Sequence, residues 1–232
     1  MLSGPSYVVF GAVGMLLHAS SRFGCGKAFA LLAIGSLVSL GSELLGTSTG
    51  LPFGPYSYTT LLGYRIGDLV PFPIPLSWFY MIYASLAIAG RILPADDTER
   101  SKTIWALAGG AILTAWDVSM DPAMSRATTH WLWHTEGFFY GMPLSNWIGW
   151  FLTGSVVSRA MLAVVGPKGF AEKVSPSRLP LLVYAINGVM PIALCLRHEL
   201  WWAGILGTAA MGLPLFLAMR GERALRPVIF GT

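Results

Sequence analysis

The sequence predicts an all-α fold: a polytopic membrane bundle of about seven transmembrane helices, with the N-terminus outside and the C-terminus cytoplasmic. The composition is the first indication, because 54% of the 232 residues are hydrophobic and 11% are charged, whereas about a quarter of the residues of a soluble domain carry a charge. The mean hydropathy is +0.62. The apolar residues also form uncharged blocks of 18 to 22 residues, and roughly 20 helical residues span the ~30 Å hydrocarbon core of a bilayer.

These blocks define the helices in chain order. The first block, up to residue 21, has no Lys or Arg ahead of it, so we interpret it as a retained helix and not as a signal peptide. The second and fourth helices are as apolar as the others but contain Glu43 and Asp117. No repeat of fixed period divides the chain, so we expect a single transmembrane domain over residues 1–232. The helices are predicted at 6–21, 27–46, 70–92, 102–120, 143–164, 179–197 and 199–219.

The basic residues indicate how the helices are oriented. The net charge is +4 and the pI is about 9.2, but Lys and Arg are concentrated in alternate connections and in the C-terminal tail. Only Arg65, Arg126 and Arg197 fall on the other side. By the positive-inside rule the basic connections are cytoplasmic, so the charge reports topology and does not indicate nucleic-acid binding. The residues on the basic side are Arg22, Lys27, Arg91, Arg100, Lys102, Arg159, Lys168, Lys173, Arg178, Arg220, Arg223 and Arg226.

Five carboxylates lie toward the outer end of the predicted bundle. They belong to the last turns of the second and fourth helices or to the two long connections that follow these helices. An ionisable group at membrane depth costs at least ~2.5 kcal/mol on insertion scales, so its presence needs a reason. Their grouping predicts one polar pocket that opens toward the outer leaflet. The five are Glu43, Asp68, Asp117, Asp121 and Glu136.

Asp117 and Asp121 are four residues apart, a spacing that places both on one helical face about 5 to 6 Å apart at Cβ. Two carboxylates this close in a medium of low dielectric cannot both ionise easily, so one tends to stay protonated and the pair offers an acid beside a base. A purely structural interpretation stays open, in which Asp121 caps a helix that ends before Pro122 and Asp117 bonds a neighbouring helix.

The two outer connections are rich in helix-breaking and aromatic residues. The run GLPFGPYSYT at 50–59 cannot continue a helix and is expected to fold back over the bundle as a lid or wall of a binding site. In the second connection, the spacing of His130 and His134 could place two imidazoles on one metal ion. The chain has four histidines, so we favour hydrogen bonding and predict no metal. The nearby Trp and Tyr side chains fit an interfacial belt or the aromatic wall of a pocket.

Seven motifs in chain order resemble one family of membrane enzymes. The sequence is similar, over roughly residues 40–155, to the integral-membrane carotenoid 1′,2′-hydratases of the CruF type, which are related to bisanhydrobacterioruberin hydratase. The resemblance implies addition of water to the terminal 1′,2′ double bond of an acyclic carotenoid end, on lycopene, γ-carotene or a C50 precursor, without a cofactor. The motifs are PFGPYSYT (52–59), LG (62–63), VP (70–71), IPLSW (74–78), DVSMDP (117–122), WLW (131–133) and YGMPLSNWIGW (140–150).

This chemistry needs a neutral carboxylic acid to protonate the alkene, a carboxylate to orient and deprotonate water, and aromatic faces that tolerate a tertiary cation. We therefore expect Asp117 and Asp121 to form an acid/base pair, with Glu43 as the third carboxylate that could take either role. The expected residues that position water are Asp68, His134, Glu136 and Asn146. The expected substrate-binding residues are Phe53, Tyr56, Tyr58, Trp131, Trp133 and Trp147.

The same residues bear on other classes of membrane protein. A retinal protein is excluded because Lys27, Lys102, Lys168 and Lys173 all lie at or beyond the cytoplasmic helix ends. A carotenoid cyclase, which would quench the same cation by losing a proton, stays open. A metal-dependent carotenoid hydroxylase would need more metal ligands than the sequence offers, and a non-catalytic carotenoid carrier has no need of paired buried acids. We expect a multi-pass protein of the bacterial cytoplasmic (inner) membrane, and a homo-oligomer is compatible with the sequence.

Overall fold

A computed structural model of the chain describes residues 3–171 and 177–229, with side chains over 4–171 and 177–220. Lys173 lies outside the described residues, as do the side chains of Arg223 and Arg226. Seven helices form the fold, as the sequence predicts. They are α1 (Ser3–Phe23), α2 (Cys25–Thr49), α3 (Pro73–Ala89), α4 (Glu99–Pro122), α5 (Leu144–Phe170), α6 (Leu179–Arg197) and α7 (Trp201–Ile229).

Five of these helices contain a segment long and apolar enough to cross a membrane, which indicates a multi-pass integral membrane protein. The segments are Cys25–Thr49, Glu99–Ala127, Leu144–Phe170, Leu179–Arg197 and Trp201–Arg220. Helix α3, with 17 residues, is a shorter apolar helix. Seven membrane spans and their direction in the bilayer therefore remain predictions.

Helix α3 lies at the centre of the bundle and is buried on all sides. It packs against α1, α2, α4, α5 and α6, and most of its residues are buried, including Trp78, Tyr80 and Tyr83. A helix that is apolar all round is one that meets protein or lipid on every face. The helix is shorter than the predicted 70–92 because Val70–Pro71 forms a strand and because the backbone turns after Ala89.

Small residues bring α4 and α5 together. A Cβ atom added to Gly110 of α4 would lie 2.7 Å from the carbonyl oxygen of Phe151, and one added to Gly154 of α5 would lie 3.2 Å from the Cα of Gly110. Helices in membranes associate by such close backbone approach at small residues. This interface holds the end of α4 against the start of α5, where the polar residues of the two helices meet.

We expect Gly110→Ala to lower the free energy of unfolding by about 1–3 kcal/mol, because overpacking forces the two backbones apart. The matched control is Gly41→Ala on the exposed face of helix α2, where an added Cβ meets nothing within 4 Å and alanine slightly favours the helix. Denaturation of both variants in detergent checks the prediction. Equal stability of the two variants would show that the α4–α5 contact is looser than the structure has it.

The two outer connections pair with each other over one end of the bundle. Strand β1 (Tyr56–Tyr58) runs antiparallel to β4 (Trp131–Trp133), with Tyr56 opposite Trp133 and Tyr58 opposite Trp131. A short hairpin of β2 (Arg65–Ile66) and β3 (Val70–Pro71) follows β1. The sequence predicts a segment folded back over the bundle but not these strands, which are two or three residues long.

Helix α4 does not end before Pro122, so the interpretation of Asp121 as a capping residue at a helix end is wrong. The helix includes Pro122 and continues as one π-helical turn, Ala123–Ala127. Proline disfavours helix because it lacks an N–H and its ring crowds the preceding turn. Both effects fall on the turn before Pro122, so the helix continues beyond it as a π-helical turn, in which the N–H of Thr128 bonds the carbonyl of Ala123 five residues earlier.

Candidate active site

A cavity of about 1020 Å³ lies where α2 and α4 finish, under the β1–β4 ladder. Its walls come from helices α1 to α6, from β1 and β4, and from residues 60–64. Most of the lining side chains are aromatic or aliphatic. Among the described residues, the acidic side chains that line it are those of Glu43 and Asp121. An apolar cavity with few convergent polar groups is typical of a small-molecule site.

Glu43 of α2 is buried and accepts three hydrogen bonds. Its Oε2 accepts from the hydroxyl of Tyr56 at 2.5 Å and from that of Tyr58 at 2.8 Å. Its Oε1 accepts from the indole Nε1 of Trp78 at 2.9 Å. The carboxyl group is thus held by one strand and by the central helix α3.

The two phenols keep their protons beside Glu43. Burial raises the pKa of Tyr56 and the pKa of Tyr58 well above the usual value for tyrosine. Both therefore remain hydroxyl groups that can donate or accept a hydrogen bond.

Asp121 of α4 is buried and is surrounded by donors from the second connection. Its Oδ1 accepts from Trp133 Nε1 at 2.9 Å and from Ser125 Oγ at 3.2 Å, and its Oδ2 accepts from Trp131 Nε1 at 3.1 Å. Asn146 Nδ2 also donates to Oδ2, at 3.4 Å. The two indole N–H groups and the amide nitrogen of Asn146 can only donate.

The β1–β4 ladder brings these two arrangements side by side. Residues two apart in a strand point to the same face, so Tyr56 and Tyr58 of β1 point inward, as do Trp131 and Trp133 of β4. The tyrosines bond Glu43 and the tryptophans bond Asp121, while the rings of Tyr56 and Trp133 lie 5.3 Å apart. Pairing of the two strands therefore links the acid of α2 with the acid of α4.

Asp117 does not reach the cavity wall. It is fully buried one turn before Asp121, and its Oδ2 accepts from Asn146 Nδ2 at 2.8 Å. Its Oδ1 has no hydrogen-bond partner within the described part of the chain. Asn146 of α5 thus bridges Asp117 and Asp121, which agrees with the expected proximity of the two acids, but only Asp121 lines the cavity.

The structure brings some predicted site residues together and not others. Those that line the cavity with Glu43 and Asp121 are Phe53, Tyr56, Tyr58, Trp131, Trp133 and Asn146.

Four predicted site residues lie elsewhere. Asp68 is exposed in the turn between β2 and β3, and Glu136 is exposed just after β4. Exposed His134 bonds Ser57 Oγ on the outer face of the ladder at 2.9 Å. Trp147 packs against Phe138 and Phe139. His134 and Trp147 each directly follow a residue that lines the cavity, so their own side chains point away from it. Asp68 and Glu136 lie beyond the segments that line the cavity.

The histidine pair is not placed to share a ligand. The segment between them is the strand β4 and not a helix, so four residues of extended backbone hold the two histidines about 13 Å apart instead of one helical turn apart. His130 lines the cavity and its Nδ1 lies 2.6 Å from Thr128 Oγ1, whereas His134 is exposed. Across residues 3–171 and 177–229, no group of three His, Cys, Asp or Glu side chains is close enough to hold a metal ion.

Sequence reasoning missed several wall residues. Trp78 and Trp150 stack with their centroids 4.4 Å apart, and Trp116 meets Trp150 edge-on at 5.8 Å. Trp78 and Trp150 lie inside two of the motifs that carry the family resemblance, so the motifs were the signal that could have identified them. Asn187 and Met190 of α6 also line the cavity, but they lie in an uncharged helix with no feature that distinguishes them.

The fold and the site define a class: a multi-pass helical membrane protein that encloses an aromatic cavity with two buried carboxyl groups from different helices. The chain belongs to the carotenoid biosynthesis protein family, whose family model matches residues 3–214. This agrees with the resemblance inferred from the motifs.

The chain is also similar to bisanhydrobacterioruberin hydratase of Haloarcula japonica. The two are 33% identical over 127 residues, which is 55% of this chain and 42% of the relative. The matched region thus spans less than half the length of that relative. No solved structure matches the chain.

Proposed function

We propose that the protein is a carotenoid hydratase that adds water to the terminal 1′,2′ double bond of an acyclic carotenoid end group and forms a 1′-hydroxy carotenoid. The observation that carries the proposal is that Glu43 and Asp121, from different helices, face the same aromatic cavity. Membership of a carotenoid biosynthesis family and similarity to a carotenoid hydratase support it. The substrate is lycopene, γ-carotene or a C50 precursor, and no cofactor takes part.

The reaction needs two proton transfers and one new C–O bond. A carboxylic acid gives its proton to C2′, and the π electrons of the double bond form the new C–H bond. The tertiary cation left at C1′ is captured by the oxygen of water, and a carboxylate accepts the proton that the water loses. The net change is the addition of one water molecule, and return of the proton from the second carboxyl group to the first restores the protein.

The hydrogen-bond donors around each carboxyl group support an assignment of these roles. Besides the hydroxyl of Ser125, Asp121 is met by three N–H groups, two indole and one amide, that can only donate, which favours its ionised form as the base that orients water. Glu43 is met by one indole N–H, that of Trp78, and by two tyrosine hydroxyls, either of which can rotate and accept a hydrogen bond from the protonated acid. We therefore assign Glu43 as the proton donor.

Asp117 supports the base in this assignment. It lies beside Asp121 in a buried position with one donor, Asn146, and an oxygen that no described group bonds. A proton on Asp117 avoids two adjacent charges, and its contact with Asn146 orients the amide that also approaches Asp121. Asp117 thus acts through Asn146 and does not touch the substrate.

The aromatic wall supports the cationic step. Trp78, Tyr56 and Trp133 line the cavity beside the two acids, and their π faces attract a cation within about 6 Å. They also keep bulk water away, so the single water held by Asp121 captures the cation. The proposal includes the predicted seven-span topology in a bacterial cytoplasmic membrane, with the N-terminus outside; a single domain and a homo-oligomer remain predictions beside it.

Labelled water tests the function directly. Membranes with the expressed protein are incubated without oxygen, with a chelator, in ¹⁸O-labelled water and with lycopene or γ-carotene, and the products are analysed by mass spectrometry. We expect a tertiary alcohol that carries one ¹⁸O atom. An isomeric hydrocarbon would instead identify a cyclase, and product that appears only with oxygen and metal would identify a hydroxylase; either result contradicts the proposal.

A further inference from the structure

One side of the cavity is a gap between α1 and α6. The two helices contact each other little, and each turns one face toward the gap, with residues spaced by three and four along the chain. Tyr80 of α3 lies between them, and its hydroxyl donates to Asn187 Oδ1 at 2.8 Å. The residues that α1 contributes to the cavity wall are Gly4, Pro5, Tyr7 and Val8, and those that α6 contributes are Asn187, Met190, Pro191 and Leu194.

The rim of this gap is exposed. Tyr7 is 39% exposed and Met190 is 48% exposed, although both line the cavity. Leu61 and Tyr64, which complete the rim from the loop after β1, are 51% and 74% exposed. The cavity therefore opens sideways between two helices.

The surface around the gap is apolar. Phe10 of α1 is 76% exposed and Val189 of α6 is 65% exposed, next to the rim residues Tyr7 and Met190. Large exposed apolar residues on a helix long and apolar enough to cross a membrane, as α6 is, face lipid. On this side the cavity thus opens through the gap to the hydrocarbon region of the bilayer. An apolar molecule can pass through the gap without crossing water.

We propose that the gap between α1 and α6 is the binding site for the polyene chain of the substrate. The end group lies between Glu43 and Asp121, and the chain runs past Tyr80 and Met190 into the bilayer. A cavity of about 1020 Å³ is at the upper end of the range for drug-sized ligands. A carotenoid is longer than such a ligand, so it has to extend out through the gap. One end of the substrate therefore reacts at a time. The identity of the ligand rests on the proposed function.

The test narrows the gap with Met190→Trp and uses Val189→Trp as its control. Val189 is the adjacent residue on the same helix, is exposed as Met190 is, and does not line the cavity. Two readouts are compared: the amount of lycopene that co-purifies with each variant, and the kcat and KM of hydration. We expect Met190→Trp to retain less lycopene and to lower kcat/KM about tenfold through KM, since overpacking of this size costs on the order of 1.4 kcal/mol, while Val189→Trp matches the unaltered protein.

The two readouts separate the two proposals. If no variant hydrates lycopene but Met190→Trp still retains less of it, the proposed reaction fails and the polyene site stands. Equal retention and equal kcat/KM in both variants would overturn the polyene site. Loss of bound phospholipid from Met190→Trp, with unchanged lycopene, would assign the gap to a lipid acyl chain and would also overturn it.

Discussion

Replacement of Glu43 by glutamine is expected to lower kcat for hydration about 1000-fold, in the range that general acid catalysis contributes. The amide has the shape of the acid but cannot release a proton to the alkene. Trp78 can still donate to the amide oxygen, and the hydroxyls of Tyr56 and Tyr58 can rotate to accept from the amide nitrogen, so the hydrogen bonds around residue 43 are preserved. Single-turnover assays in purified membranes measure the rate.

Tyr58→Phe is the control for this variant. It removes one of the three donors to Glu43 but leaves the acid, so we expect a loss of about tenfold or less, since a neutral hydrogen bond contributes about 1 kcal/mol. Lycopene that co-purifies with each variant reports whether the cavity is intact. Turnover by a well-expressed Glu43→Gln variant at the normal rate would remove Glu43 from the mechanism.

Asp121→Asn is expected to reduce kcat about 1000-fold, whereas Asp117→Asn should reduce it by tenfold or less. Both acids are buried on α4, but only Asp121 lines the cavity. An asparagine at 121 cannot accept a proton from water, and its amide nitrogen would meet N–H donors from Trp131 and Trp133. At position 117 the proposed state is already neutral, so the amide resembles the native group.

The ratio of the two rates tests the assignment. Both variants are compared at equal expression and with the same carotenoid, and the thermal stability of each is recorded to exclude unfolding. Equal and large losses of kcat would favour the acid/base pair of Asp117 and Asp121 that the spacing alone predicts. A larger loss for Asp117→Asn would make Asp117 the proton donor and contradict the role of Glu43.

Several features of the fold could be predicted because they depend on local composition. Long apolar blocks, five of them uncharged, predicted the seven helices, since a bilayer has a nearly constant thickness and each block must match it. The predicted helix boundaries were wrong where two local preferences of the chain oppose each other. Helix α4 continues past Pro122 as a π-helical turn, since a proline disturbs only the turn before it. Helix α3 begins late because Val70–Pro71 pairs with β2.

The candidate site was predictable in its chemistry but not in its geometry. The sequence placed Glu43, Asp117 and Asp121 at one end of the bundle, and the motifs identified the family. It also grouped Asp68 and Glu136 with them, because both lie in the connections that directly follow the helices of these acids. Both are exposed, because Asp68 lies in the turn between β2 and β3 and Glu136 lies beyond β4, outside the segments that line the cavity.

The sequence by itself determined the class of protein, the helices and the buried acids, because hydrophobicity and charge act over the length of one helix. Tertiary structure decided which acids share the cavity. Residues four apart on a helix differ by about 40° around its axis, so the cavity wall can include Asp121 and exclude Asp117. The pairing of β1 with β4 links Glu43 to Asp121, and this pairing joins segments that are far apart in the chain, so no local pattern specifies it.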